Sequence, residues 1–337
     1  MRPFAYQRAE TDARAVALAA GLRAPPTTAP VQFLAGGATL LDLMKTGAMA
    51  PETLVDINGL AQRHGQVRAG ADGLHLGALV RMADAAADGD VRRDYPVIAQ
   101  SLDFAASQQL RHMASLGGNV LQRTRCRYFR DPSWQACNKR APDSGCAAIG
   151  GVNRMHAVLG VSDHCIASYP GDFGQALAAL EATVEILGPK GQRAIPFEAL
   201  HRPPGETPQT ETTLAPGELI TGFHVPAGPW TRRSRFVKVR DRESYEFALA
   251  SAAVALELEG GAARTVRIAL GGVSTLPWRA REAEAALVGQ PVDERSAWKA
   301  AEAAFAGAVT HGQNEFKPEL GRRTLVRALL EAARMEI

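Results

Sequence analysis

Residues 31–41 read VQFLAGGATLL. Val31 to Leu34 is a short apolar run with strand character, and it enters the glycine pair Gly36-Gly37. Glycine has no Cβ, so backbone here can approach a bulky ligand closely. The following TLLDLMKTG reads as a short helix, and a helix start presents free N–H groups to an anion such as a diphosphate. Thr39 adds a hydroxyl donor. The pattern is neither G-x-G-x-x-G nor a Walker loop, whose lysine is missing. Taken alone, a tight strand-to-helix turn is the plainer account.

Outward from this stretch, TLVDI at 53–57 is the next strand. The order strand, glycine loop, helix, strand suggests a small α/β unit with parallel pairing. Upstream, Thr11 or Asp12 caps a helix over DARAVALAAGLR, with Ala13, Val16, Ala17 and Ala20 along one face, and the stretch from Pro25 to Pro30 ends it. Downstream, QVRAGAD and LHLGAL read as short strands, followed by an alanine-rich helix and a helical stretch from Pro96 to Met113. A second small-residue loop follows, Ala114-Ser115-Leu116-Gly117-Gly118-Asn119. On its own it is a helix end and a turn. Two such loops could grip one extended dinucleotide from both sides.

The four cysteines, Cys126, Cys137, Cys146 and Cys165, fall within residues 126–165, spaced Cys-x10-Cys-x8-Cys-x18-Cys. The window is rich in Gly, Pro, Asn and Arg and lacks periodicity, so it reads as an irregular loop ordered by something other than a core. Soft thiolates select zinc, copper(I) or iron–sulfur clusters. Structural zinc sites pair cysteines as short knuckles, and none is present. Four single cysteines on a long loop fit a [4Fe–4S] cluster better. Arg125, Arg127, Arg130, Lys139 and Arg140 would offset its negative charge, and His156 and His164 are alternative ligands. Unlinked cysteines or two disulfides are the plain alternatives.

CIASY then resumes strand character, and Asp172 is placed to cap the helix DFGQALAALEA. GPKGQR and HRPPGETPQTETTLAPGE are turn and linker chemistry, marking a domain boundary over 190–216. Beyond it, SRFVKVR, FALASAAVALELE and RTVRIALGG suggest an antiparallel meander, with helices over 281–289, 293–308 and 318–334.

The chain has 337 residues, with 38 Lys plus Arg against 35 Asp plus Glu, a net charge of +3. That balance argues against a dedicated nucleic-acid binder. No apolar run approaches the ~20 residues of a membrane span, and no apolar segment near Met1 resembles an export signal. No Ser/His/Asp or Cys/His nucleophile set stands out.

LAGGATLL, SLGGNVL and the later GGVSTLPWRAREAEAAL together resemble the medium, FAD-binding subunits of the xanthine dehydrogenase or molybdenum hydroxylase family, over nearly the whole chain. The cysteine-bearing stretch from Arg123 to Phe173 is absent from most of that family and is similar to one in its bacterial periplasmic aldehyde oxidoreductase branch. The resemblance implies an α+β chain. A vanillyl-alcohol-oxidase/PCMH-type FAD-binding domain would comprise subdomains 1–60 and 61–189, the second carrying the 126–165 iron–sulfur loop. A C-terminal domain of antiparallel sheet and helices, like that of CO dehydrogenase flavoproteins, would occupy 190–337.

The resemblance further implies FAD at Leu34, Ala35, Gly36, Gly37, Ala38, Thr39, Leu40 and Leu41 of the first loop. From the second loop it implies Ala114, Ser115, Gly117, Gly118 and Asn119. The family's usual threonine is Ala114 here, so a hydroxyl contact would be lost or fall to Ser115. Asp172 keeps the acid of a family Ser-Asp pair whose serine is Gly171, and Ile220 and Lys238 match positions near the flavin or adenine. The implied role is an electron-transfer subunit with no catalytic residue of its own. Its partners would be a large molybdenum-cofactor subunit that oxidises an aldehyde, a small subunit with two [2Fe–2S] clusters, and an external electron acceptor. A free-standing FAD oxidase and a zinc-stabilised interaction module are the rival expectations. The expected location is the periplasm, reached by co-export with a signal-bearing partner, with the cytoplasm as the alternative.

Overall fold

A computed structural model describes residues 1–20, 23–24 and 28–337. Strands β1 (Ala5–Arg8), β2 (Val31–Leu34) and β3 (Thr53–Asp56) form a sheet in the order β1-β3-β2, both pairings parallel. β2 and β3 are the strands read from the sequence. β1 escapes that reading because all four of its residues are exposed, leaving no alternation to detect. Thr11 is the cap of the first helix, Asp12–Leu18, its Oγ1 accepting from Arg14 N at 3.2 Å. The expected extension of this helix and its proline stop fall partly on residues 21–22 and 25–27, outside the described residues.

The second sheet contains β4 (Val67–Gly70), β5 (Gly73–Gly77), β6 (Thr183–Gly188), β7 (Gly191–Pro196) and β8 (Leu219–Pro226). It is antiparallel, in the order β4-β5-β8-β6-β7. The expected domain cut at 190 would run through this sheet, since β7 and β8 lie beyond it. The composition misled because β7 is polar and largely exposed, while the Pro/Thr-rich segment before β8 masks a strand whose Phe223 and Val225 are buried. The chain changes layer after Pro226.

The third sheet holds β9 (Ser234–Val239), β10 (Ala250–Glu259), β11 (Ala262–Gly271) and the short β12 (Trp278–Arg279), in the order β12-β11-β10-β9. This is the expected meander with one added edge strand. β10 is buried on both faces, which explains its small residues. Ala252, Val254 and Leu256 face helices Arg281–Leu287, Glu294–Ala304 and Lys317–Ala333, while Ala253 and Ala255 face the core shared with the second sheet. Between those sheets lie helices Pro96–Asp103 and Phe173–Ala179, and every residue of the latter is buried.

Residues 126–165 form the expected irregular loop, relieved by one helical turn, Arg127–Arg130. CIASY is not a strand; only an isolated bridge joins Ser162 and Cys165. Backbone bonds Asn138 N to Gly145 O (2.9 Å) and Ala147 N to Ala136 O (3.0 Å) shape the loop, and Asn138 Nδ2 reaches His164 O at 3.0 Å.

Asp172 does not cap its helix. Its Oδ2 accepts from Lys238 Nζ on β9 at 2.6 Å, with both side chains only 3% exposed. Breaking a buried pair leaves an uncompensated charge. Lys238→Met is therefore expected to destabilise the fold by roughly 3–5 kcal/mol, whereas Asp172→Leu/Lys238→Met recovers most of the loss. Denaturant titration of the single and double variants measures this coupling.

Candidate functional site

The three sheets and the cysteine loop enclose one deep cleft of ≈ 430 Å³. Its walls contain Ala35, Gly36, Gly37, Ala38, Thr39 and Leu40 of the first loop and Ala114, Ser115, Gly117, Gly118 and Asn119 of the second. Asp172, Ile220 and Lys238 line it too. Leu34 and Leu41 do not: Leu34 ends β2, its carbonyl accepting from Ile57 N at 3.0 Å, and Leu41 packs beneath Gly37.

The loops touch backbone to backbone. A Cβ on Gly36 would stand 1.9 Å from the Met113 carbonyl oxygen. Gly37 has φ +72°, a conformation that favours glycine. Arg81 clamps the loops together, donating to Met113 O at 2.7 Å and to Asn58 Oδ1 at 2.9 Å, while Asn58 Nδ2 reaches Ala35 O at 3.0 Å. The backbone N–H groups of Gly36, Gly37, Ala38 and Thr39 donate to no protein group among the described residues. Ser115 spends its hydroxyl locally, accepting from Gly118 N at 3.2 Å at the start of the short helix Leu116–Val120. The second glycine pair is thus a helical turn rather than an open loop.

Polar groups at the cleft remain unsatisfied: Asn119 Oδ1, Asp172 Oδ1 and His201 Nε2 are buried without a partner among the described residues. Burial raises the Asp172 carboxyl, opposed by Lys238. Burial also lowers His201 to about 4, so its ring is neutral near pH 7. Glu211 accepts from Arg123 and from Lys139, each at 3.0 Å. Burial would raise its carboxyl, but the two cations outweigh that and hold it at about 2. Glu211 and His201 lie in or beside the stretch read as linker, and Arg81 sits far from either glycine pair in sequence. No local pattern could have flagged these three residues.

The cysteine loop forms a second, small cavity lined by all four cysteines and by His164. No disulfide is present. Burial pushes the Cys126 thiol up to about 11, and His156 Nε2 lies 3.1 Å from its sulfur. The proximity of Cys165 lowers the Cys146 thiol to about 6, and the proximity of Cys146 together with burial raises Cys165. Three of the five basic residues expected to face this centre, Arg125, Arg130 and Arg140, are engaged elsewhere, while Lys139 lines this cavity and bonds Glu211 as well. Arg125 and Arg130 pair with Asp42 at 2.8 and 2.9 Å, Lys139 holds Glu211, and Arg140 donates to the carbonyls of Tyr128, Phe129 and Trp134. Lys139, Cys165 and Ala167 line both cavities.

The sequence matches two families: FAD binding domain in molybdopterin dehydrogenase over residues 2–228, and CO dehydrogenase flavoprotein C-terminal domain over 235–332. The junction falls where the chain leaves β8 for β9. Among curated relatives, the aldehyde oxidoreductase FAD-binding subunit PaoB of Escherichia coli is 45% identical, the match covering 98% of this chain and 99% of that one. The carbon monoxide dehydrogenase medium chain of Afipia carboxidovorans is 27% identical, covering 98% and 96%. Among solved structures, carbon monoxide dehydrogenase from Hydrogenophaga pseudoflava superposes with a TM-score of 0.75 at 25% identity, covering 99% of this chain and 98% of that one.

Glu211 couples the cleft to pH. Its carboxyl falls from an ordinary 4.5 to about 2, so its contribution to stability is present above 4.5 and is lost as pH drops toward 2. Glu211→Gln is expected to flatten the stability curve across that window. It should also cost roughly 3–5 kcal/mol at neutral pH, because Arg123 and Lys139 lose their counter-charge. Urea titrations at several pH values measure both effects.

Proposed function

The chain belongs to the FAD-binding subunits of the molybdenum hydroxylase family, and from that we propose that it is the electron-transfer subunit of a heterotrimeric molybdenum-dependent aldehyde oxidoreductase. It would stand between the [2Fe–2S] clusters of a small partner subunit and an external electron acceptor, while a large molybdenum-cofactor subunit oxidises the aldehyde. The observation that carries this reading is the single cleft joining both glycine loops, with unpaired backbone N–H groups on one side and orphaned polar side chains on the other. An extended dinucleotide fits that distribution. The full-length likeness to an aldehyde oxidoreductase subunit favours an aldehyde as the complex's substrate.

FAD, when bound, supplies the redox chemistry that exchanges electrons between one-electron and two-electron carriers. The protein's work is to hold and screen it. Gly36 to Thr39 would offer backbone N–H groups to its diphosphate, and the Arg81 clamp keeps the two loops together. Asn119 and His201 offer polar atoms that lack protein partners. Lys238 brings its Nζ to the cleft wall, paired with Asp172. No side chain here need transfer a proton to or from the aldehyde.

The four cysteines suit a [4Fe–4S] cluster. A tetrahedral zinc with bonds of about 2.3 Å would draw its sulfurs to within ~4 Å of one another. Here four single cysteines line one small cavity, which matches a cluster whose four irons each take one thiolate. We assign it the role of staple for a loop with little core of its own. We also propose that the subunit reaches the periplasm folded, carried by a signal-bearing partner; cell fractionation showing it in the cytoplasm alone would reject that location.

Anaerobic purification with FAD, iron and sulfide counted together tests the central reading. One FAD with four irons and four sulfides per chain is expected. Absence of flavin would overturn the function, and one zinc without iron would overturn the cluster. Cys137→Ser is expected to lose iron and stability together. A stable, flavin-loaded complex of that variant in which flavin reduction fails would instead place the cluster in the electron path. Gly36→Ala forces a methyl onto the Met113 carbonyl and should weaken flavin binding at least about tenfold, read as flavin absorbance per chain.

A further inference from the structure

On the face of the second sheet away from the core, His75 on β5 stands directly opposite His224 on β8. Their neighbours Leu74, Leu76, Phe223 and Val225 point into the core, so strand alternation places both imidazoles outward. The rings stack with centroids 4.4 Å apart and planes inclined by 27°. The β4–β5 turn brings a third group to the same point. Asp72 Oδ2 lies 2.9 Å from His75 Nε2 and 3.9 Å from His224 Nε2. The three ligand atoms all fall within 4.8 Å of one another.

The backbone holds this arrangement in place. A Cβ on Gly73 would stand 2.1 Å from the Val225 carbonyl oxygen, so only glycine lets the turn press against β8. Asp72 O in turn accepts from Ala227 N at 3.3 Å and lies 3.1 Å from His224 Nε2. Arg68 on β4 and Thr183 on β6 are the flanking cross-strand neighbours of His75 and His224.

We propose that Asp72, His75 and His224 form a surface site for a divalent transition-metal ion, with zinc as the fitting probe. Tetrahedral zinc bound by nitrogen and oxygen at about 2.0–2.1 Å places its ligand atoms ~3.4 Å apart. The two separations to Asp72 Oδ2 bracket that value, and turning the two imidazoles out of their stack would aim both Nε2 atoms at one ion. Two imidazoles and a carboxylate are borderline ligands suited to zinc rather than to calcium or magnesium. The fourth position faces solvent. The ion would tie the β4–β5 turn to β8, and the site is separate from both the flavin cleft and the cysteine cavity.

The test is calorimetric titration of zinc chloride into the cofactor-loaded protein, after loosely held metal has been removed with a chelator. One saturable site per chain is expected. It should weaken at least tenfold in His75→Asn and in His224→Asn, while flavin and iron contents stay unchanged. Cobalt(II) in place of zinc should give the visible absorption of a tetrahedral nitrogen–oxygen site in the parent protein and lose it in both variants. No saturable zinc binding, or binding that both variants retain undiminished, would overturn the proposal and leave an Asp–His hydrogen bond beside a stacked histidine.

Discussion

Lys238 Nζ reaches Asp172 Oδ2 and, at 3.0 Å, the carbonyl of Phe104 at the end of the helix Pro96–Asp103. Three pieces of chain meet at this ammonium group: the start of a wholly buried helix, the end of another, and β9 of the third sheet. A buried ion pair contributes little net stability over an apolar substitute, because desolvation offsets most of its attraction. Its effect here is positional. Neither charge can be left alone in this environment, so the third sheet seats on the helix layer in the one register that joins them. The same two side chains line the cleft, which ties the docking of the C-terminal layer to the shape of the site.

The parts legible in the sequence were those where one local pattern dictates one local structure. The run VQFLAGGATLL yields a strand, a glycine turn and a helix because apolar periodicity and glycine agree at every step. The alanine-rich FALASAAVALELE becomes a central strand because only small residues fit between two packed layers. The parts that stayed hidden depend on partners distant in the chain. β8 is an ordinary half-buried strand, but it follows a proline-rich segment and pairs with β5, which lies more than a hundred residues earlier. Glu211 looks like one more polar linker residue until Arg123 and Lys139 close on it. The Asp172 side chain has a helix-cap position but finds a stronger, charged partner across the layer boundary.

The cysteine loop shows the same division. Its irregularity and its gathering of four thiols were readable from spacing. The fate of its basic residues was not, because charge count alone does not say which acid each will meet. Arg125 and Arg130 instead bind the loop to Asp42 on the helix that follows the first glycine pair, and Lys139 binds it to Glu211.

Because Cys165, Lys139 and Ala167 belong to both cavities, the packing of the cysteine loop and the shape of the cleft are joined, and on the reading proposed above the filling of one would bear on the other. A chain whose cysteine loop is still open lacks part of a cleft wall, and a chain with an empty cleft leaves the loop one surface short. Thermodynamic linkage then makes each occupancy favour the other by the same factor. Maturation of the subunit would then be self-checking: flavin affinity would report whether the loop has closed, and an incompletely assembled chain would hold its flavin weakly.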